Sequence, residues 1–142
     1  MAEAVVSSVE ETVALGESWG RVAERGTVFA LEGDLGAGKT QLARGIARGL
    51  GYTGRVQSPS FGLINVYEGG RLPMFHIDLY RLETEEEIRG AGLEEYLHDP
   101  DGVTVVEWAA RWFGEDNDHV WRVRLETLGE EERRISYDHT GD

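Results

Sequence analysis

The sequence predicts an α/β fold in three layers, with a central mixed, largely parallel sheet flanked by helices. Two observations carry this. An apolar strand at Thr27–Leu31 runs through a glycine-rich loop directly into a helical segment at Lys39–Leu50. A second short, β-branched run, Val103–Val106, follows the turn Asp99-Pro100-Asp101-Gly102 and reads as another buried strand.

The remaining elements follow in chain order. Ser8-Val9-Glu10-Glu11 has the spacing of a capping box, and it predicts a helix from Val9 to Ala23 that stops near Gly26. In Lys39–Leu50, Leu42, Ile46 and Leu50 recur every fourth residue, and Gly51 supplies the stop. Phe61–Tyr67 and Leu72–Ile77 read as strands around Glu68-Gly69-Gly70. Glu83–Arg89 and Leu93–Leu97 are short helical pieces split by Gly90 and Gly92. Ala109–Asn117 is loop or short helix. Val120–Leu128 and Arg134–Tyr137 form a closing hairpin around Gly129. There is no repeat and no long linker, so residues 1–142 are expected to form one domain.

Composition narrows the class. The chain has 142 residues, is 40% hydrophobic and 29% charged, and reads as soluble and globular. No apolar run approaches the roughly 18 residues of a membrane helix, and Met1–Ser8 shows no secretion signal, so a cytoplasmic protein is expected. Without cysteine, disulfides, cysteine nucleophiles and thiolate metal sites are excluded. The net charge of −13 argues against direct binding of nucleic acid, which needs a basic face. It reads as a solubility surface, or as a complement to a basic partner.

The chemistry centres on Gly33-Asp34-Leu35-Gly36-Ala37-Gly38-Lys39-Thr40, the spacing of a P-loop. Glycines permit backbone conformations in which successive N–H groups point inward at an anion. The helix that follows adds its positive N-terminal end. Of the 14 basic residues, 13 are Arg, and the only Lys is Lys39. A compact ammonium on a flexible stem reaches phosphate oxygens in a way a planar guanidinium does not. The Thr40 hydroxyl is placed to ligate Mg²⁺. The fold is therefore expected to be P-loop NTPase-like, with ATP and Mg²⁺ as its ligands.

A P-loop pairs with an acid at the end of a neighbouring buried strand. Asp78 closes one strand and Glu107 closes another, and the residues alone do not rank them. His76 reads as a packed, hydrogen-bonded histidine, with a base as the alternative. Arg81 is either a phosphate-neutralising finger or an ion-pair partner of the acidic run Glu83–Glu87. Ser58-Pro59-Ser60 is either a γ-phosphate-sensing loop or an ordinary turn. Trp108 and Trp112 read as core or interface residues rather than nucleotide stackers.

These stretches together resemble the bacterial TsaE family, small ATPases of tRNA threonylcarbamoyladenosine synthesis. The carrying segments are Glu32–Thr40, Ser58-Pro59-Ser60-Phe61, His76-Ile77-Asp78-Leu79-Tyr80-Arg81-Leu82, Gly92-Leu93-Glu94-Glu95-Tyr96 and Val106-Glu107-Trp108. The resemblance implies slow ATP hydrolysis with Mg²⁺. It implies work on a heterodimer of TsaD and TsaB, in which TsaD transfers threonylcarbamoyl to the adenosine beside the anticodon and ATP turnover resets the complex. By position, Gly36, Ala37, Gly38 and Lys39 would bind phosphates, and Thr40 and Glu107 would ligate Mg²⁺. Asp78 would be a catalytic or metal-shell carboxylate, alongside Glu107. Ser58 to Ser60 would form a switch-like loop. Thr12 and Arg133 would lie near the nucleotide. Gln41 stands where the family usually has Thr, and Ser60 where it has Thr in Ser-Pro-Thr. Each keeps a hydrogen-bonding side chain. Two function classes compete with this: a small-molecule kinase and a nucleotide-sensing binding module with negligible turnover. A kinase lid would be rich in Arg, and between Leu82 and Tyr96 the only basic residue is Arg89.

Overall fold

The computed structural model describes residues 2–34, 37–57, 63–108 and 120–139. Among the described residues, seven strands form one sheet, in the order β1-β7-β6-β2-β5-β4-β3. The strands are β1 (Ala2–Val6), β2 (Val28–Glu32), β3 (Ile64–Tyr67), β4 (Met74–Asp78), β5 (Val103–Glu107), β6 (Val120–Thr127) and β7 (Arg133–His139). The helices are α1 (Val9–Val22), α2 (Lys39–Gly49), α3 (Glu85–Gly90) and α4 (Glu94–Leu97). The parallel part is the central four strands, where β2 lies between β5 and β6 and β4 pairs with β5. Both flanks are antiparallel, β3 on β4 and β7 on β6. The sheet is thus mixed, with its parallel pairs gathered at the centre.

One strand was not expected. Ala2–Val6 pairs antiparallel with β7, and only Val6 along it is buried. Its backbone, not its apolar content, holds it in the sheet. The strand expected from Leu72 begins instead at Met74, because Pro73 has no N–H to give a ladder. The expected Phe61–Tyr67 strand is observed from Ile64, with Leu63 in a bend before it; residues 61 and 62 lie outside the described residues, as does the expected segment Ala109–Asn117 with Trp112.

The two faces of the sheet are covered differently. Along β2, Phe29 and Leu31 join the cluster under α1 and α2, while Val28 and Ala30 join the cluster under α3 and α4. β5 alternates in the same way, with Val103 and Val105 on the α1/α2 side and Val106 on the other. Period-two alternation, continued along each strand, sends Met74, His76 and Asp78 of β4 and Glu107 of β5 to the α1/α2 face.

On that face α1 and α2 approach closely. Gly16 and Gly20 of α1 meet Gly45 and Gly49 of α2 without room for side chains. A Cβ on Gly45 would stand 2.1 Å from the Val13 carbonyl oxygen, and one on Gly16 would stand 2.4 Å from that of Leu42. The helices cross through these small residues, and the start of α1 is thereby fixed against the start of α2. Ser8 caps α1 by accepting from the Glu11 N–H at 3.1 Å. The Glu11 carboxylate reaches back to the Ser7 N–H at 2.5 Å, one residue beyond the box the spacing predicts.

Candidate functional site

The glycine loop connects β2 to α2, as the sequence predicts. Gly38 caps α2 at φ 102°, a left-handed conformation that glycine adopts without strain. Ala37 is buried, and its N–H donates to Asp34 O at 3.0 Å. Gly36 lies outside the described residues, as do Ser58 and Ser60.

A cleft of about 360 Å³ opens beside the loop. It is lined by Thr12, Gly38, Lys39, Thr40, Gln41, Asp78, Glu107 and Arg133 from the sequence reading, and also by Val9, Tyr80, Trp108 and Glu131. The strand register brings the carboxylates together. Asp78 and Glu107 are direct partners across β4 and β5, and Glu107 also pairs with Leu31, one residue before β2 ends. Both acids therefore sit at the C-terminal ends of parallel strands, where ligands of open α/β sheets collect.

Lys39 is 5% exposed. Its Nζ donates to Gly33 O at 2.6 Å and stands 3.8 Å from the centroid of the Trp108 ring. Burial pulls its pKa below the usual lysine value, and the charges of Glu107, Glu32, Asp78 and Asp34 oppose that shift. Trp108 follows β5 with φ 63°, an unusual conformation for a bulky residue, and one that places its ring over the ammonium. The ring also packs against Tyr80, centroids 5.0 Å apart.

The two acids differ in surroundings. Glu107 is buried, and its Oε2 lies 2.6 Å from His76 Nε2. A carboxylate only accepts, so the hydrogen of that bond resides on Nε2 of a histidine that is itself fully buried. Among the described residues, His76 Nδ1 has no hydrogen-bond partner. Asp78 is half-buried and accepts from the Tyr80 N–H at 2.9 Å. Burial raises its pKa above the usual aspartate value. Glu107 adds to the shift, whereas the Tyr80 N–H, His76 and Lys39 oppose it.

The remaining residues build the walls. Thr12 is buried, and its hydroxyl donates to Ser8 O at 3.3 Å. Arg133 donates from Nε to Ala37 O at 3.2 Å and from its other nitrogens to the carbonyls of Gly129, Glu130 and Glu132, tying the β6–β7 turn to the glycine loop. Gln41 lines the cleft, and its buried Oε1 has no hydrogen-bond partner among the described residues. Arg81 is exposed; among the described residues it makes no ion pair with Glu83–Glu87 and is not among those lining the cleft. The sequence reading also missed Val9 and Glu131. The Val9 N–H donates to Glu131 Oε1 at 3.2 Å, and no local pattern links residues so far apart in the chain.

The donors are chemically apt. Two carboxylates and a hydroxyl are the hard oxygen ligands that Mg²⁺ prefers. Among the described residues no group of three or more acidic or histidine side chains is assembled to hold a metal unaided. The lining groups also match a polyphosphate, with an ammonium and a helix N-terminus.

Comparison with known proteins gives this site a family. The profile of the family described as "Threonylcarbamoyl adenosine biosynthesis protein TsaE" matches residues 6–135. The chain is similar to the tRNA threonylcarbamoyladenosine biosynthesis protein TsaE of Bacillus subtilis, 41% identical over 133 residues that cover 94% of this chain and 82% of that one. It is also similar to the TsaE protein of Treponema pallidum, 37% identical over 132 residues, 93% of this chain and 96% of the relative. The crystal structure of YdiB from Bacillus subtilis superimposes with a TM-score of 0.81 at 36% identity, covering 99% of this chain and 86% of the other. The three-layer fold, the glycine loop and the facing carboxylates thus stand in a chain that belongs to the TsaE family of tRNA threonylcarbamoyladenosine biosynthesis.

Proposed function

We propose that this protein binds ATP with Mg²⁺ in the cleft beside Gly33–Thr40 and hydrolyses it slowly, in support of tRNA threonylcarbamoyladenosine formation by a TsaB–TsaD complex. The observation that carries the reading is the register that sets Asp78 against Glu107 on the face where Lys39 emerges. Lys39 would hold phosphate oxygens, with the Gly38 and Lys39 N–H groups at the helix start beside it. Thr40 and Glu107 would hold the metal, and His76 fixes the Glu107 carboxylate through its Nε2 hydrogen bond. When bound, Mg²⁺ supplies charge neutralisation at the phosphates. Asp78 would orient water or the metal's water shell, and its raised pKa leaves it a better proton acceptor than an ordinary aspartate. Trp108 and Tyr80 would shield the reacting phosphates from bulk water.

The test is phosphate release by the purified protein, alone and with TsaB and TsaD. Slow release alone, changed by the partners, is the expected result. Turnover that requires an added metabolite and ignores the partners would establish a small-molecule kinase instead. Co-purification with TsaB and TsaD, with and without ATP, checks the partner assignment separately.

A further inference from the structure

A second cleft, of about 540 Å³, lies at the other end of α2. Its lining is Arg44, Arg48, Arg55, Tyr52, and the small or apolar residues Gly51, Thr53, Gly54 and Val56. It shares no residue with the cleft beside the glycine loop. Arg48 stands nine residues past Lys39 on α2, about 14 Å along the helix axis.

Three arginines meet here in a chain whose net charge is −13. Among the described residues, the lining contains no carboxylate. Elsewhere, arginines pair with the abundant acids, as Arg21 does with Glu17 and Arg134 with Glu126. Arg44, Arg48 and Arg55 make no ion pair and no hydrogen bond among the described residues. Arg44 and Arg48 are four apart on α2, so they share a helix face, where like charges repel. Arg48 alone has a structural reason to be basic, since it sits in the last turn and offsets the helix dipole. That reason does not extend to Arg44 in mid-helix or to Arg55 on the following loop.

The loop that carries Arg55 is built rather than loose. Gly51 turns the chain at φ 97°, and the Tyr52 N–H returns to Ala47 O at 3.0 Å. The Tyr52 ring packs on Tyr67, centroids 5.0 Å apart, and its hydroxyl donates to Arg55 O at 3.4 Å. Tyr67 Oη then holds both the N–H and the carbonyl of Gln57, at 3.1 and 3.0 Å. The backbone that carries Arg55 is thus held between two tyrosine anchors, and Arg55 lines the same cleft as the α2 arginines.

We propose that this cleft is an anion site for a compact phosphate-bearing ligand, a phosphate monoester or diphosphate gripped by Arg44, Arg48 and Arg55. Guanidinium forks match phosphate oxygens in bidentate pairs, and three of them neutralise the two to three charges of such a group. The acidic remainder of the molecule repels a long polyanion, which favours a small or terminal phosphate over an extended nucleic-acid backbone. Bound there, the ligand bridges α2 to the loop that leads into Ser58. Its source is either a free phosphorylated small molecule or the 5′-phosphate of an RNA.

The test is a titration followed by residue-resolved NMR, reading the arginine Nε–Hε signals at this cleft and the backbone amides of Gly38–Thr40 separately. Inorganic pyrophosphate is expected to shift Arg44, Arg48 and Arg55 saturably. The double variant Arg44→Gln, Arg55→Gln is expected to weaken that response at Arg48 by about tenfold or more, with the response at Gly38–Thr40 unchanged. A 5′-phosphorylated RNA trinucleotide is then compared with its 5′-hydroxyl counterpart. Binding of the phosphorylated RNA alone assigns the ligand to an RNA end, and binding of pyrophosphate without either RNA assigns it to a free small molecule. Equal binding of the two RNAs would mean the backbone is recognised and would overturn the proposal. So would the lack of a saturable shift at the three arginines, or a shift that chloride reproduces at the same concentration.

Discussion

The two faces of the sheet are made of different material. The face under α3 and α4 is closed by an apolar cluster that includes Ile77, Leu79, Ile88, Leu93, Leu97 and Val106. The face under α1 and α2 also has an apolar cluster, in which Trp19 stacks on Phe29 with centroids 5.8 Å apart. It buries Thr12, Lys39, His76 and Glu107 as well. Buried charge costs stability unless it is paired, and here the pairing converges on the glycine loop. One face therefore reads as scaffold and the other as site, and substitutions separate the two.

The largest stability effect is expected on the scaffold face. Leu97→Ala removes a buried side chain and should cost about 3 kcal/mol in denaturant unfolding, while nucleotide affinity per folded molecule stays unchanged. A parallel loss of affinity would mean the faces are not separable. On the site face, Lys39→Ala should lower ATP affinity roughly 100-fold, about 3 kcal/mol, by titration calorimetry. Unchanged affinity would refute the phosphate role of Lys39.

Gly45→Ala tests whether the α1–α2 crossing serves both purposes. A Cβ 2.1 Å from Val13 O cannot be accommodated without moving α1, so a loss of about 2 kcal/mol is expected. Because Thr12 moves with α1, nucleotide affinity should fall too, unlike in Leu97→Ala. Glu107→Ala should slow Mg²⁺-dependent turnover by roughly tenfold or more and weaken Mg²⁺-free nucleotide binding less. The reverse order would transfer the metal role to Asp78.

Asp78→Asn should give the smallest change in stability, and in the opposite direction. Burial raises the Asp78 pKa, so folding favours its protonated form. Its stabilising contribution is full below the unfolded-state pKa, near 3.8, and is lost as pH rises through the higher folded-state value. Asn keeps an oxygen for the Tyr80 N–H and carries no charge. Turnover should fall while the melting temperature at pH 7 rises by about 2 °C, a modest gain because Asp78 is partly exposed to solvent. The gain should vanish below pH 4. A lower melting temperature at pH 7 would show that the ionised form stabilises the fold.

Much of this was legible in the chain itself. The apolar run Thr27–Leu31, the glycine spacing and the four-residue period of Leu42, Ile46 and Leu50 specify a strand, a loop and a helix through local sterics and amphipathic pattern. The lone Lys at position 39 and the acids closing two strands are groups suited to phosphate and metal chemistry, and they are read directly from the residues. Strand order and register were not legible, because they depend on which segments meet. Only the sheet sets Asp78 opposite Glu107 and draws Ala2–Val6 onto β7. The His76–Glu107 bond, the Trp108 ring over Lys39 and the three arginines gathered in one cleft join residues brought together by packing. The sequence by itself thus determined the local elements and their chemistry, since short-range backbone and side-chain preferences encode both. Which of those groups face one another was decided only by tertiary structure, since burying the two faces of the sheet fixes the direction of every strand residue.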